Sequence, residues 1–153
     1  MQLPKKAKCP VPGKCLTACV VYEAKVSTAT DNAYYIGSTG GNFKTRYTGH
    51  KQSFTTDYKR SATALSQFVW SNNLNPEPNI QWKFLKVAKP YSPGLYSCDV
   101  CNTEKLLILK ASKTVNTSIN AMKLWKCAHI RQNSGWTTYS HIGGQVQWQY
   151  FSA

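Results

Sequence analysis

Residues 34–54 read YYIGSTGGNFKTRYTGHKQSF, and the rest of the chain is read outward from them. Tyr34, Tyr35 and Ile36 come first, and Gly37, Gly40 and Gly41 then break the aromatic and β-branched run. Phe43, Tyr47, His50 and Phe54 follow at intervals of three or four residues. The pattern predicts a short strand, a tight glycine loop and an amphipathic helix, with Asn42 as the helix N-cap. Arg46 and His50, four residues apart, fall on one face of that helix. A fixed cation beside a titratable imidazole, next to tyrosines at a strand end, suits work on a phosphate. Taken alone, the same residues also fit a basic surface helix packed on a strand.

Toward the N-terminus, CVVYEAKV (Cys19 to Val26) is strand-like and STATDNA is a polar loop. With AYYIGS it forms a hairpin that puts Tyr22 and Tyr35 on adjacent strands. Residues 1–17, with Lys5, Lys6, Lys8 and Lys14 among prolines and Gly13, are an irregular basic lead-in, ordered only if Cys9 and Cys15 are tied to something. Toward the C-terminus, the first helix runs from Asn42 to Phe54. A second, Ala64 to Ser71, is set by Leu65, Phe68 and Val69, and Ile80 to Val87 alternates as a third strand. CNTEKLLILKAS predicts a third helix, capped by Asn102 or Thr103, with Glu104 in its first turn. Leu106, Leu107 and Leu109 cannot share one stripe, so that helix is expected to be well buried. A short helix is expected over 116–125. Trp136–Ile142 and Gln145–Phe151 around Gly143-Gly144 predict a β-hairpin. These elements give a single α+β domain.

Composition narrows the partners. The 153 residues carry 19 Lys and Arg against 6 Asp and Glu, a net charge of +13. Such an excess implies a polyanion, nucleic acid or an anionic membrane. No apolar run approaches the roughly 20 residues of a membrane span, and no signal-peptide core is visible, so an intracellular location in cytoplasm or nucleus is expected. The acidic residues are Glu23, Asp31, Asp57, Glu77, Asp99 and Glu104, and divalent-cation chemistry must choose among them.

Six cysteines without a secretory signal point to metal more than to a disulfide framework. Cys98 and Cys101 form a CxxC, the usual half-site for zinc, and Cys127 with His129 completes a four-ligand set. An alternative set pairs Cys9 and Cys15 with the CxxC, and reduced buried cysteines are the plain alternative.

The motifs together resemble a GIY-YIG endonuclease, and within that superfamily the eukaryotic-type domains of Penelope-like retroelements. Tyr35-Ile36-Gly37 matches the second signature, and Val20-Val21-Tyr22 keeps the tyrosine of the first while losing its glycine. Ser38, Phe43, Lys44, Arg46, Tyr47 and His50 match the helix motif, and Glu104 matches the metal-binding glutamate. Asn120 resembles a late asparagine. The CPVPGKC opening and Lys126–His129 resemble segments of the retroelement type. The resemblance covers residues 9 to 131.

It implies a small three-stranded antiparallel sheet flanked by helices (core 18–131); the hairpin of 132–153, read from the sequence alone, lies outside the resemblance as an extension. It also implies DNA cleavage with one divalent metal, leaving 5′-phosphate and 3′-hydroxyl ends. Tyr22, Tyr35, Arg46, His50 and Glu104 are the expected catalytic residues. Glu104 would hold Mg²⁺ or Mn²⁺ and Arg46 would fork onto phosphate. Tyr22 or His50 would serve as general base, and Tyr35 would orient water or phosphate. Ser38, Lys44, Lys51 and Asn120 are expected to contact nucleic acid, with RNA an open alternative to DNA. Structural Zn²⁺ would clamp the start of the Glu104 helix. Two other functions stay open: a nucleic-acid-binding zinc module without cleavage, and a secreted, disulfide-bonded basic protein. A larger mobile-element or targeting protein is an expected partner, and the oligomeric state is not readable.

Overall fold

The computed structural model describes residues 9–93, 97–111 and 114–115. Strands β1 (Ala18–Ser27), β2 (Asn32–Asn42) and β3 (Ile80–Val87) form one antiparallel sheet in the order β2-β1-β3. Helices α1 (Phe43–Thr55), α2 (Ala64–Ser71) and α3 (Asp99–Lys110) flank it.

β1 is central because both of its faces are apolar: Val20, Val21, Tyr22, Ala24 and Val26 are fully buried. Strand alternation sends Val20, Tyr22, Ala24 and Val26 to one face. There they pack with Tyr35, with Phe43 and Phe54 of α1, and with Leu65 and Val69 of α2. Val21 points to the other face and meets Ile36 and, from α3, Ile108. Each such side chain removed from water contributes about 1.5–3 kcal/mol. The sheet is thus covered by α1 and α2 on one side and by α3 on the other. β2 is an edge strand reached from both sides.

Two irregularities tune this sheet. Cys19, at φ 53°, sits where the β1–β2 register shifts between Ala18 and Val20, and its thiol donates to the Gly40 carbonyl at 3.3 Å. On the β3 side Val21 faces Lys86 but Tyr22 faces Phe84, so Leu85 is the extra residue of a bulge.

Several expectations need correction. The glycines of residues 37–42 do not make a loop: β2 stays paired to β1 as far as Ala18↔Asn42 and passes directly into α1. Backbone pairing there overrides the weak strand propensity of glycine. The lead-in over residues 9–17 is tied by a disulfide that joins Cys9 and Cys15 to each other, and these are not reduced thiols or metal ligands. It docks on α1, whose Phe43 and Lys44 amides donate to the Thr17 and Cys15 carbonyls at 3.0 and 2.8 Å. α3 begins at Asp99, inside the CxxC, with Cys98 as its N-cap. Asn102 and Thr103 therefore lie within the helix, and Glu104 is in its second turn. Leu106 and Leu109 are 56% and 48% exposed, so α3 is buried along one stripe only. The fold with a closing β-hairpin is also corrected: the last element among the described residues is the helix α3. The stretches expected as helix (116–125) and hairpin (136–151), together with Asn120, Cys127 and His129, lie outside the described residues. No helix among the described residues is long and apolar enough to cross a membrane.

Candidate active site

Five side chains singled out in the sequence gather around Gly37 on the edge strand. Tyr22 lies opposite Gly37 in the β1–β2 register. A Cβ added at Gly37 would stand 2.7 Å from the Tyr22 hydroxyl and 2.7 Å from Tyr35 Cε1. Only a residue with no side chain lets both tyrosines lean across β2 here.

α1 supplies the next layer. Asn42 caps it, its side-chain oxygen accepting from the Thr45 amide at 2.9 Å. Phe43 and Phe54 anchor it to the sheet. Helical spacing then delivers Arg46 and His50 to one spot, the Tyr22 hydroxyl. Arg46 Nε–H donates to that oxygen at 3.1 Å, and His50 Nε2 lies 2.7 Å from it. One hydrogen is shared between the phenol oxygen and His50 Nε2, and the imidazole tautomer sets which of the two carries it. The other ring nitrogen, Nδ1, is a buried atom with no hydrogen-bond partner among the described residues. Leaving such a group unpaired costs about 1–3 kcal/mol. Rings fix the imidazole instead, with Tyr35, Trp82 and Phe54 centroids at 5.8, 5.5 and 6.2 Å.

The fifth residue arrives from the opposite face of the sheet. Glu104 of α3 accepts through Oε2 from the Ser38 hydroxyl at 2.8 Å. Ser38 is thus occupied in holding the carboxylate, a contact that sequence spacing did not reveal. Lys44 and Lys51 are exposed along α1, the latter 6.0 Å from the Tyr47 ring.

Burial sorts the site into two layers. Tyr22, Tyr35 and His50 are buried, whereas Arg46, Ser38 and Glu104 are half-buried and form its rim. Burial pushes the Tyr22 phenol well above its ordinary value, Tyr35 adds to this, and Arg46 pulls it back. Tyr35 is raised by burial against the same opposing pull. Burial and then the Arg46 charge push His50 down to about 3. At neutral pH the buried pair is therefore phenol and neutral imidazole. Burial raises Glu104 too, against the Ser38 hydrogen bond and the Arg46 and Lys105 charges. Its negative charge is under-compensated.

Among the described residues, no three His, Cys, Asp or Glu side chains gather into a metal cage. A single hard carboxylate is nevertheless enough for Mg²⁺ or Mn²⁺, which keep several waters. An under-compensated carboxylate on an accessible rim fits such an ion. For zinc, the Cys9–Cys15 disulfide removes the alternative ligand set, since bonded sulfurs are not thiolates. Cys98 and Cys101 pack with Cys19 in a small apolar cluster beside β1.

No protein-family model matches the chain, and no curated protein or solved structure matches it.

Proposed function

We propose that this chain is a metal-dependent endonuclease of the GIY-YIG type that its motifs resemble, hydrolysing DNA phosphodiester bonds by one in-line water attack. The observation that carries the reading is the Tyr22 hydroxyl held between Arg46 and His50, with the Glu104 carboxylate tied to Ser38 on the same strand edge. An anion-binding fork, a buried proton path and a hard carboxylate are the components that phosphodiester hydrolysis needs.

Arg46 spends Nε–H on Tyr22 and offers its remaining N–H donors to phosphate oxygens, a bidentate task for which Lys is less suited. Tyr22 takes the proton of the attacking water as it passes its own to His50 Nε2. The two base candidates thereby act in series. A phosphate bound at Arg46 offsets the charge that, after burial, depresses His50 and so raises its capacity for that proton. Tyr35 orients the water or phosphate. Glu104 would hold Mg²⁺ or Mn²⁺, which when bound supplies charge stabilisation at the phosphate and the leaving 3′ oxygen. Exposed Lys44 and Lys51 add to the attraction for the backbone. DNA is the proposed partner, with RNA its competitor, and the setting is intracellular. Zn²⁺ on Cys98, Cys101, Cys127 and His129 would serve a structural role near the start of α3.

Supercoiled plasmid incubated with the protein and Mg²⁺ tests the reading. Nicked circles with 5′-phosphate and 3′-hydroxyl ends are expected, falling to background with Glu104→Ala. Absent nicking, or nicking equal in the variant, overturns the enzyme and leaves a nucleic-acid-binding module without cleavage.

A further inference from the structure

α2 buries Leu65, Ser66 and Val69, yet its largest side chain, Trp70, belongs to none of the three hydrophobic clusters formed by the described residues. The ring is half-buried and fixed in place, its indole N–H donating to the Ser53 carbonyl near the end of α1 at 2.8 Å. Gln67, Trp70 and Ser71, at i, i+3 and i+4, share the face of α2 turned from the core. With Arg60 and Ser61 they line an open groove of about 310 Å³. That volume lies at the lower end for ligand pockets and suits one planar ring system with its substituents.

The groove's chemistry selects an occupant. The indole offers a flat π surface, the Gln67 amide and the serine hydroxyls offer hydrogen bonds, and Arg60 offers a guanidinium. Among the described residues Arg60 forms an ion pair with Asp57 alone, at 3.8 Å, with the two side chains 65% and 76% exposed. Pairs that exposed hold each other weakly, so the fork remains available to an anion. A neutral sugar would use the indole and hydroxyls but leave the guanidinium unpaired. A nucleotide uses all three, and a net charge of +13 draws nucleic acid to the surface. Two residues before Arg60 in the chain, Tyr58 is 82% exposed, with Lys59 Nζ 5.6 Å from its ring.

We propose that Arg60, Gln67 and Trp70 form a subsite for an unpaired nucleotide, its base stacked on the indole and its phosphate on the guanidinium. Bases inside a duplex are stacked on each other and cannot reach the ring, so the subsite selects single-stranded, frayed or bulged segments. The inference rests on the reading of the chain as nucleic-acid-binding and is independent of cleavage.

Fluorescence anisotropy of the full chain in EDTA, with a short labelled single strand and a blunt duplex, tests it without turnover. Trp70→Ala is expected to weaken single-strand binding roughly 5- to 150-fold and to leave duplex binding unchanged. Trp70→Phe, which keeps a π face and loses the N–H, is expected to stay within a few-fold of the unaltered protein. Arg60→Gln should lower the salt dependence of single-strand binding by about one phosphate contact. Circular dichroism checks folding. If Trp70→Ala does not fold, Arg60→Gln decides the matter, an unchanged salt dependence overturning the subsite. Unchanged single-strand affinity in Trp70→Ala and Arg60→Gln, or an equal loss on duplex and single strand, overturns the subsite. If the unaltered chain binds neither probe, the nucleic-acid reading falls with it.

Discussion

His50 has its imidazole buried against Tyr35, Phe54 and Trp82, with one nitrogen on the Tyr22 hydroxyl and the other unpartnered among the described residues. That placement has a measurable consequence. In the folded chain the imidazole stays neutral down to about pH 3, whereas an unfolded histidine takes up its proton near pH 6.5. Between those limits only the unfolded chain gains the proton, so acid favours unfolding. His50 therefore contributes stability that is fully present above about pH 6.5 and lost by about 1.4 kcal/mol per unit as pH falls through the window. Glu104 is shifted the other way, upward from the carboxylate range, so its folded form gains a proton first and offsets part of the loss at lower pH. Denaturant titrations at pH 6.5 and 5.5 isolate the histidine. The unaltered chain should lose about 1 kcal/mol over that unit more than His50→Gln does, because at pH 6.5 the unfolded imidazole is already half protonated. Equal losses in the two proteins would show that His50 titrates normally.

Among the elements, α1 matters most because it carries both Arg46 and His50, and it is intrinsically weak. Thr45, Thr48 and Gly49 are poor helix formers, and only Phe43, His50, Ser53 and Phe54 of its residues are buried. Its start is correspondingly well tied, by the Asn42 side chain and by the Thr17 and Cys15 carbonyls. Asn42→Ala is expected to cost about 1 kcal/mol and Asn42→Asp to cost little, since Asp caps equally well; thermal unfolding of both variants checks this. This element was legible in advance, as were α2 and β3, because apolar periodicity and side-chain caps are local signals. The run through Gly37, Gly40 and Gly41 was not. Glycine marks a turn only when nothing else claims its backbone, and here β1 pairs with the run from Gly37 to Thr39 and again at Asn42, carrying Gly40 and Gly41 within the strand at a register shift. α3 misled for a related reason. Three clustered leucines suggest burial all round, but one stripe, with Val100, Thr103 and Ile108, faces inward. In the candidate site, residue types and helical spacing named the participants. The hole at Gly37 and the Ser38–Glu104 contact depend on cross-strand register and on which face α3 covers, and neither is a local property.

At the scale of the whole molecule, the sheet keeps its two faces apart and lets them meet at one place. Arg46 and His50 come from the helix layer on one face, and Glu104 from the helix on the other. They meet at edge strand β2, where Gly37 has no side chain and Ser38 reaches α3. This arrangement separates a catalytic glutamate from a structural one. If Glu104 serves only to tie α3 to the sheet, Glu104→Gln keeps a hydrogen-bond partner for Ser38 and changes little beyond stability. If it serves the reaction, the same change abolishes plasmid nicking. The effect on affinity has a definite sign. In EDTA the carboxylate repels the phosphate that Arg46 attracts, so neutralising it should hold or tighten DNA binding while cleavage is lost. Raising the salt should weaken both proteins steeply and in parallel, because counterion release from the basic surface dominates the affinity. Cleavage and binding thus move in opposite directions in one variant, a pattern that neither misfolding nor a general loss of charge attraction produces. Anisotropy in EDTA and nicking in Mg²⁺, run on the same preparation of Glu104→Gln, measure it. Retained nicking, or binding that falls together with nicking, would remove Glu104 from the chemistry.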